Sequence, residues 1–102
     1  MSHGLLPRDL EYITRALRRF PEIEVALIFG SRAKGDHKPG SDVDLAIKGE
    51  AITRTTVSRL ASLLNEDYPL PYFFDVVHYE TLCNPELTAH IDHVGEVIFT
   101  QR

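Results

Sequence analysis

Tryptophan is absent, cysteine occurs once, and neither a basic excess nor a long apolar run is present. The lone thiol, Cys83, cannot build an internal disulfide framework or a thiolate metal cage; it is expected to be a small, partly buried filler. No apolar stretch approaches the roughly 18 residues that a membrane span needs. Met1 to Arg8 carry no basic segment followed by an apolar one, so no secretory signal is expected, and Gly4 lies too late for myristoylation. These absences point to a cytoplasmic protein with no membrane contact. The 11 Lys and Arg are outnumbered by 15 Asp and Glu, for a net charge of −4. That balance argues against direct nucleic-acid binding, which favours a basic surface.

What is present is ordinary globular material: 102 residues, 43% hydrophobic and 25% charged, with six Gly and six Pro. Disordered, collagen-like and coiled-coil chains are excluded, and one domain spanning residues 1–102 is expected. Leu6, Leu10, Ile13, Leu17 and Phe20 mark one face of a helix that Pro7 opens and Pro21 ends. Val25 to Phe29 is a continuous apolar run closed by Gly30 and predicts a strand buried on both faces. The dozen residues from Gly30 to Ser41 read as a loop with room for one helical turn. Asp42 to Ile47 alternates as a strand, with Val43, Leu45 and Ile47 on one face and Asp42 and Asp44 on the other. Thr53 to Glu66 predicts a second helix, Tyr72 to Val77 a third strand and Glu86 to His93 a short helix. Val97 to Phe99 offers a further short strand. The order implies a small α/β domain.

The chemistry concentrates in three carboxylates. Asp42 and Asp44, at i and i+2 on a strand, point the same way about 6.5–7 Å apart at the backbone. Such a pair can converge on one hard cation or bracket two, and Mg²⁺ prefers oxygen ligands of this kind. Asp is depleted in strands, so two on one face need a reason. Asp75 interrupts the apolar run Tyr72 to Val77, where an unpartnered buried charge would cost several kcal/mol. It is either exposed on an edge or placed beside the first two, completing a three-carboxylate cluster. Gly30 and Ser31 supply the complementary half: Gly permits close approach of a ligand to the backbone, and the Ser hydroxyl can hold phosphate oxygens. Arg32 and Lys34 add positive charge in the same loop.

Other motifs fail. Gly30 to Gly35 opens like a P-loop, but Asp36-His37 stands where Lys and Ser or Thr are required. A calcium loop starting at Asp42 is missing its ligand at Ala46, its glycine at Ile47 and its glutamate at Thr53. His90 and His93 could touch one metal, yet with no further ligand at matching spacing both are expected on the surface. His37 and His78 have no evident partner that would orient either as a base.

Gly30-Ser31, ten residues, then Asp42-Val43-Asp44 resembles the signature of the DNA polymerase beta-like nucleotidyltransferase superfamily, and Asp75 falls where that superfamily has its third carboxylate. At this length the chain resembles the minimal nucleotidyltransferase antitoxins that accompany HEPN-domain toxins. Lys34 stands where Arg is frequent in the family, and all three carboxylates are intact. The resemblance implies a mixed β-sheet flanked by helices, with ATP held by Gly30, Ser31, Arg32 and Lys34 and two Mg²⁺ by Asp42, Asp44 and Asp75. It further implies attack by an acceptor hydroxyl on the α-phosphate of ATP, with a tyrosine of a HEPN ribonuclease toxin as the acceptor and Asp75 as a candidate for its proton. Two rivals remain: an antitoxin that neutralises its partner by occlusion alone, and a small-molecule transferase of the aminoglycoside type.

Overall fold

The computed structural model describes residues 4–35 and 42–101. Helix α1, Pro7–Arg18, starts with Pro7 at its first turn, and the Asp9 side chain accepts the Leu6 N–H at 3.1 Å. Strand β1, Val25–Phe29, runs into a one-turn helix α2, Ser31–Lys34, which is the helical turn expected in the loop. The rest of that loop, including His37, lies outside the described residues. Strand β2 is Val43–Lys48. Helix α3, Arg54–Ser62, is opened by reciprocal Thr53 and Thr56 hydrogen bonds. Its expected last turn is instead a π-helical turn, Leu63–Asp67. Asn65 in that turn binds both backbone groups of Phe74, accepting its N–H at 2.7 Å and donating to its C=O at 3.0 Å. The wider turn is thereby tied to strand β3, Phe74–His78. Helix α4, Pro85–Val94, is capped by Asn84, and strand β4, Glu96–Thr100, is the last element among the described residues.

The four strands form one mixed sheet in the order β3-β2-β1-β4. β1 lies antiparallel to both β2 and β4, and β2 lies parallel to β3. Strand alternation decides what each face carries. Ala26, Ile28, Val43, Leu45, Ile47 and Phe74 join Ile13 and Leu17 of α1 and Leu60 of α3 in the larger core. The opposite face holds Leu27, Phe29 and Ala46 against Ile91 of α4, a much smaller cluster. By the same alternation Asp42, Asp44 and Asp75 belong to that second face, beyond Phe29 and Ala46. The fold therefore leaves these three aspartates on the thinly covered side.

Candidate active site

The ladder between β1 and β2 ends with Phe29 opposite Asp44, so Gly30 is the first residue to leave the sheet. It does so at φ 76°, ψ −152°, a conformation almost confined to glycine. A Cβ on Gly30 would drive into the Asp44 carboxylate and stand 3.2 Å from its Cγ. The Gly30 backbone and the Asp44 side chain thus occupy adjoining space, which only glycine leaves open. Ser31 follows, exposed, as the first residue of α2.

Across the sheet Asp44 is the register partner of Asp75 in the parallel β2–β3 pair. Neighbouring strands lie about 4.8 Å apart, so the two carboxylates are side by side on one face. Asp42, exposed, precedes β2. The Asp44 carboxyl's pKa is raised above its ordinary value, first by burial and then by the charges of Asp75 and Asp42. Asp42 and Asp75 therefore both lie near enough to act on the Asp44 carboxyl. Asp75 itself is exposed on an edge strand, the first of the two alternatives left open by the sequence, and it has Asp44 alone as its register partner. Its place beside Asp44, rather than burial, is what sets it apart.

The loop cations divide. Lys34 is exposed, but Arg32 is only 2% exposed and its guanidinium lies 4.8 Å from the centre of the Tyr72 ring. The Tyr72 hydroxyl in turn donates to the buried Asp9 at 2.8 Å. Burial, then that hydrogen bond, raises the Tyr72 hydroxyl's pKa, while Arg32 and Arg8 oppose the shift. Arg32 thus connects α2 to the segment leading into β3, where the sequence expectation had it facing phosphate. Its stacking on an aromatic ring suits the weakly hydrated guanidinium.

His90 is the residue that sequence reasoning missed. Its Nε2 accepts the Gly30 N–H at 3.1 Å, and its ring meets Phe29 edge-on at 6.1 Å. His93 is exposed, as expected. The signal was available: Leu87, Ile91 and Val94 form the apolar stripe of α4, and His90 lies on it at i+3 from Leu87. His78 is elsewhere, contacting the Gly49 carbonyl at 3.0 Å and Glu80 at 3.2 Å, with Ile47 as its register partner. Cys83 is exposed instead of filling the core, because it follows the 3₁₀ turn Tyr79–Thr81 at the surface.

Oxygen donors of one sign, gathered beside a turn without a Cβ, have the chemistry that suits a hard divalent cation. Among the described residues, however, no three His, Cys, Asp or Glu side chains stand close enough to enclose an ion. The carboxylates form an open set rather than a closed cage.

The strand–glycine–turn–DxD arrangement has a counterpart among known families. The family model for polymerase beta nucleotidyltransferases matches residues 11–102. The chain belongs to that family. No curated protein sequence matches it. Among solved structures, a toxin–antitoxin with AMP-PNP is similar at a TM-score of 0.75 and 21% identity, covering 91% of this chain and 74% of the other. The MntA-HepT toxin–antitoxin matches at 0.71 and 18%, covering 94% and 74%. A tri-AMPylated Shewanella oneidensis HEPN toxin in complex with MNT antitoxin matches at 0.70 and 19%, covering 92% and 71%. The expected mixed sheet with flanking helices is therefore the polymerase beta-like nucleotidyltransferase fold. At these identities the likeness carries the fold, and the site must carry the chemistry. No described helix is long and apolar enough to cross a membrane.

Proposed function

We propose that this nucleotidyltransferase is a cytoplasmic antitoxin that transfers AMP from ATP to a hydroxyl, a tyrosine's, on a cognate HEPN toxin. The observation that carries the reading is the packing of Gly30 on Asp44, with Asp75 as Asp44's neighbour across the sheet. Gly30 and Ser31 receive the triphosphate, and Lys34 adds charge from solvent. Arg32 contributes by bracing α2 against Tyr72. Asp42 and Asp44 would hold Mg²⁺ with Asp75 at its margin, and the metal would supply charge neutralisation for the phosphates. The acceptor oxygen forms a bond to the α-phosphorus as the bond to the bridging oxygen breaks and pyrophosphate leaves. Asp75 takes the hydroxyl proton, and its exposure leaves it open to an acceptor carried by another protein. Phe73, two residues earlier and 58% exposed, offers such a partner an apolar contact.

Added AMP would place bulk and negative charge on a ribonuclease that must bind RNA phosphates, which accounts for neutralisation. The reading is tested by thermal melting with Mg²⁺ and a non-hydrolysable ATP analogue, singly and together. A ligand at 100 times its Kd stabilises the folded state by about 2.7 kcal/mol. The two together should stabilise wild type more than either alone, and Asp42→Asn or Asp44→Asn should abolish the gain without unfolding the protein. Both variants retaining the gain would place the nucleotide elsewhere.

A further inference from the structure

Gly30 presents a physical conflict. The site needs glycine there, because Asp44 occupies the space of a Cβ, yet glycine leaves the backbone more conformational freedom than any other residue. The β1–β2 ladder stops one residue earlier, at Phe29, so sheet pairing does not hold Gly30. Its carbonyl is engaged, accepting the Lys34 N–H at 3.1 Å as α2 closes. Its N–H remains, and this goes to His90 Nε2, sixty residues away.

His90 is well placed for the task. Ile91 beside it is fully buried against the sheet, and Asn84 and Pro85 fix where α4 begins. The Tyr79 hydroxyl donates to Asp92 at 2.7 Å, tying the far side of α4 to the turn after β3. The imidazole, braced on Phe29, therefore meets the turn from an element that is itself held on two sides. Accepting an N–H at Nε2 requires the neutral ring protonated at Nδ1.

Resting on the transferase reading, we propose that His90 is a positioning residue: it holds the Gly30–Ser31 turn in the conformation that receives the triphosphate, restoring the rigidity that glycine removes. It passes no proton and holds no metal; its contribution is one acceptor atom at a fixed point. Glutamine can place an acceptor oxygen near the position of Nε2, and leucine cannot.

The experiment compares wild type, His90→Gln and His90→Leu by the affinity for the Mg²⁺-bound ATP analogue and by amide exchange at Gly30. Nitrogen-15 NMR of the wild type reads the tautomer. We expect an Nδ1-protonated ring and a protected Gly30 amide in wild type and His90→Gln. His90→Leu should lose that protection and bind about tenfold more weakly, the effect of one hydrogen bond to a critical turn, with His90→Gln within about threefold of wild type. Equal affinity in wild type and His90→Leu would overturn the proposal, as would a wild-type ring protonated at Nε2. A glutamine variant with a protected Gly30 amide but affinity as poor as leucine's would also overturn it. A wild type that binds the analogue but transfers nothing would refute the transferase reading, while these readouts still decide the role of His90. A wild type that binds no analogue would overturn both.

Discussion

Replacing Gly30 with alanine perturbs backbone and site at once, and the two costs can be separated. The backbone sits at φ 76°, ψ −152°, where a side chain typically costs about 1–3 kcal/mol. The new Cβ must also displace the Asp44 carboxylate, and an off-rotamer side chain costs about 0.5–1.5 kcal/mol more. Together these give roughly 1.5–4.5 kcal/mol; at about 5 °C per kcal/mol for 102 residues, melting should fall by about 8–22 °C. The assay is thermal unfolding followed by circular dichroism, in a double-mutant cycle with Asp44→Ala. The Asp44 Cβ would lie 3.5 Å from the added methyl, an ordinary contact, so truncating Asp44 relieves the clash but leaves the backbone strain. The double variant should therefore be about 0.5–1.5 kcal/mol more stable than the sum of the single effects. A Gly30→Ala protein melting within about 2 °C of wild type would refute the reasoning.

Further outcomes follow from the carboxylates and from Asn65. Asp44 holds its proton more tightly when folded than its ordinary value of 3.8 allows, so its contribution to stability is greatest in acid and is lost as pH rises through the folded value. Asp44→Asn should thus melt above wild type at neutral pH without divalent metal. Charges about 5 Å apart repel by roughly 0.8–3.3 kcal/mol between water and a protein surface, and the exposure of Asp75 favours the lower end, about 1 kcal/mol. Parallel stability curves across pH for the two proteins would contradict this. Asn65→Ala should cost about 1–3 kcal/mol, because it strips two hydrogen bonds from Phe74 on the sheet's edge; an unchanged denaturant midpoint would remove Asn65 as the tie between the π-helical turn and β3.

The sequence revealed elements whose pattern is local. The stripe from Leu6 to Phe20, the buried run Val25 to Phe29 and the alternation after Asp42 each appear close to where they were expected. The meeting of Asp44 and Asp75 was legible only as a condition, since strand adjacency is a long-range property that periodicity does not encode. Residues turned inward for tertiary reasons were harder to read. Arg32 carries a charge yet has a core residue's burial, and the nearby Tyr72 ring on which it stacks is distant in sequence. Metal-ligand spacing says little of His90, whose meaning lies in the face of α4 that Leu87 and Ile91 define. The π-helical turn at Leu63–Asp67 follows from the reach of Asn65 to β3, a contact that no local propensity announces.

The central claim is a transfer of adenylate to a protein partner. Purified HEPN partner would be incubated with this protein, Mg²⁺ and ATP labelled either at the α- or at the γ-phosphate, and the partner's intact mass and bound label would then be read. The account predicts one or more adenylyl additions on tyrosine, with covalent label from the α-phosphate alone and none when Asp42→Asn, Asp44→Asn replaces wild type. A partner that remains unmodified, yet is still neutralised by that double variant, would contradict it and leave occlusion as the mechanism.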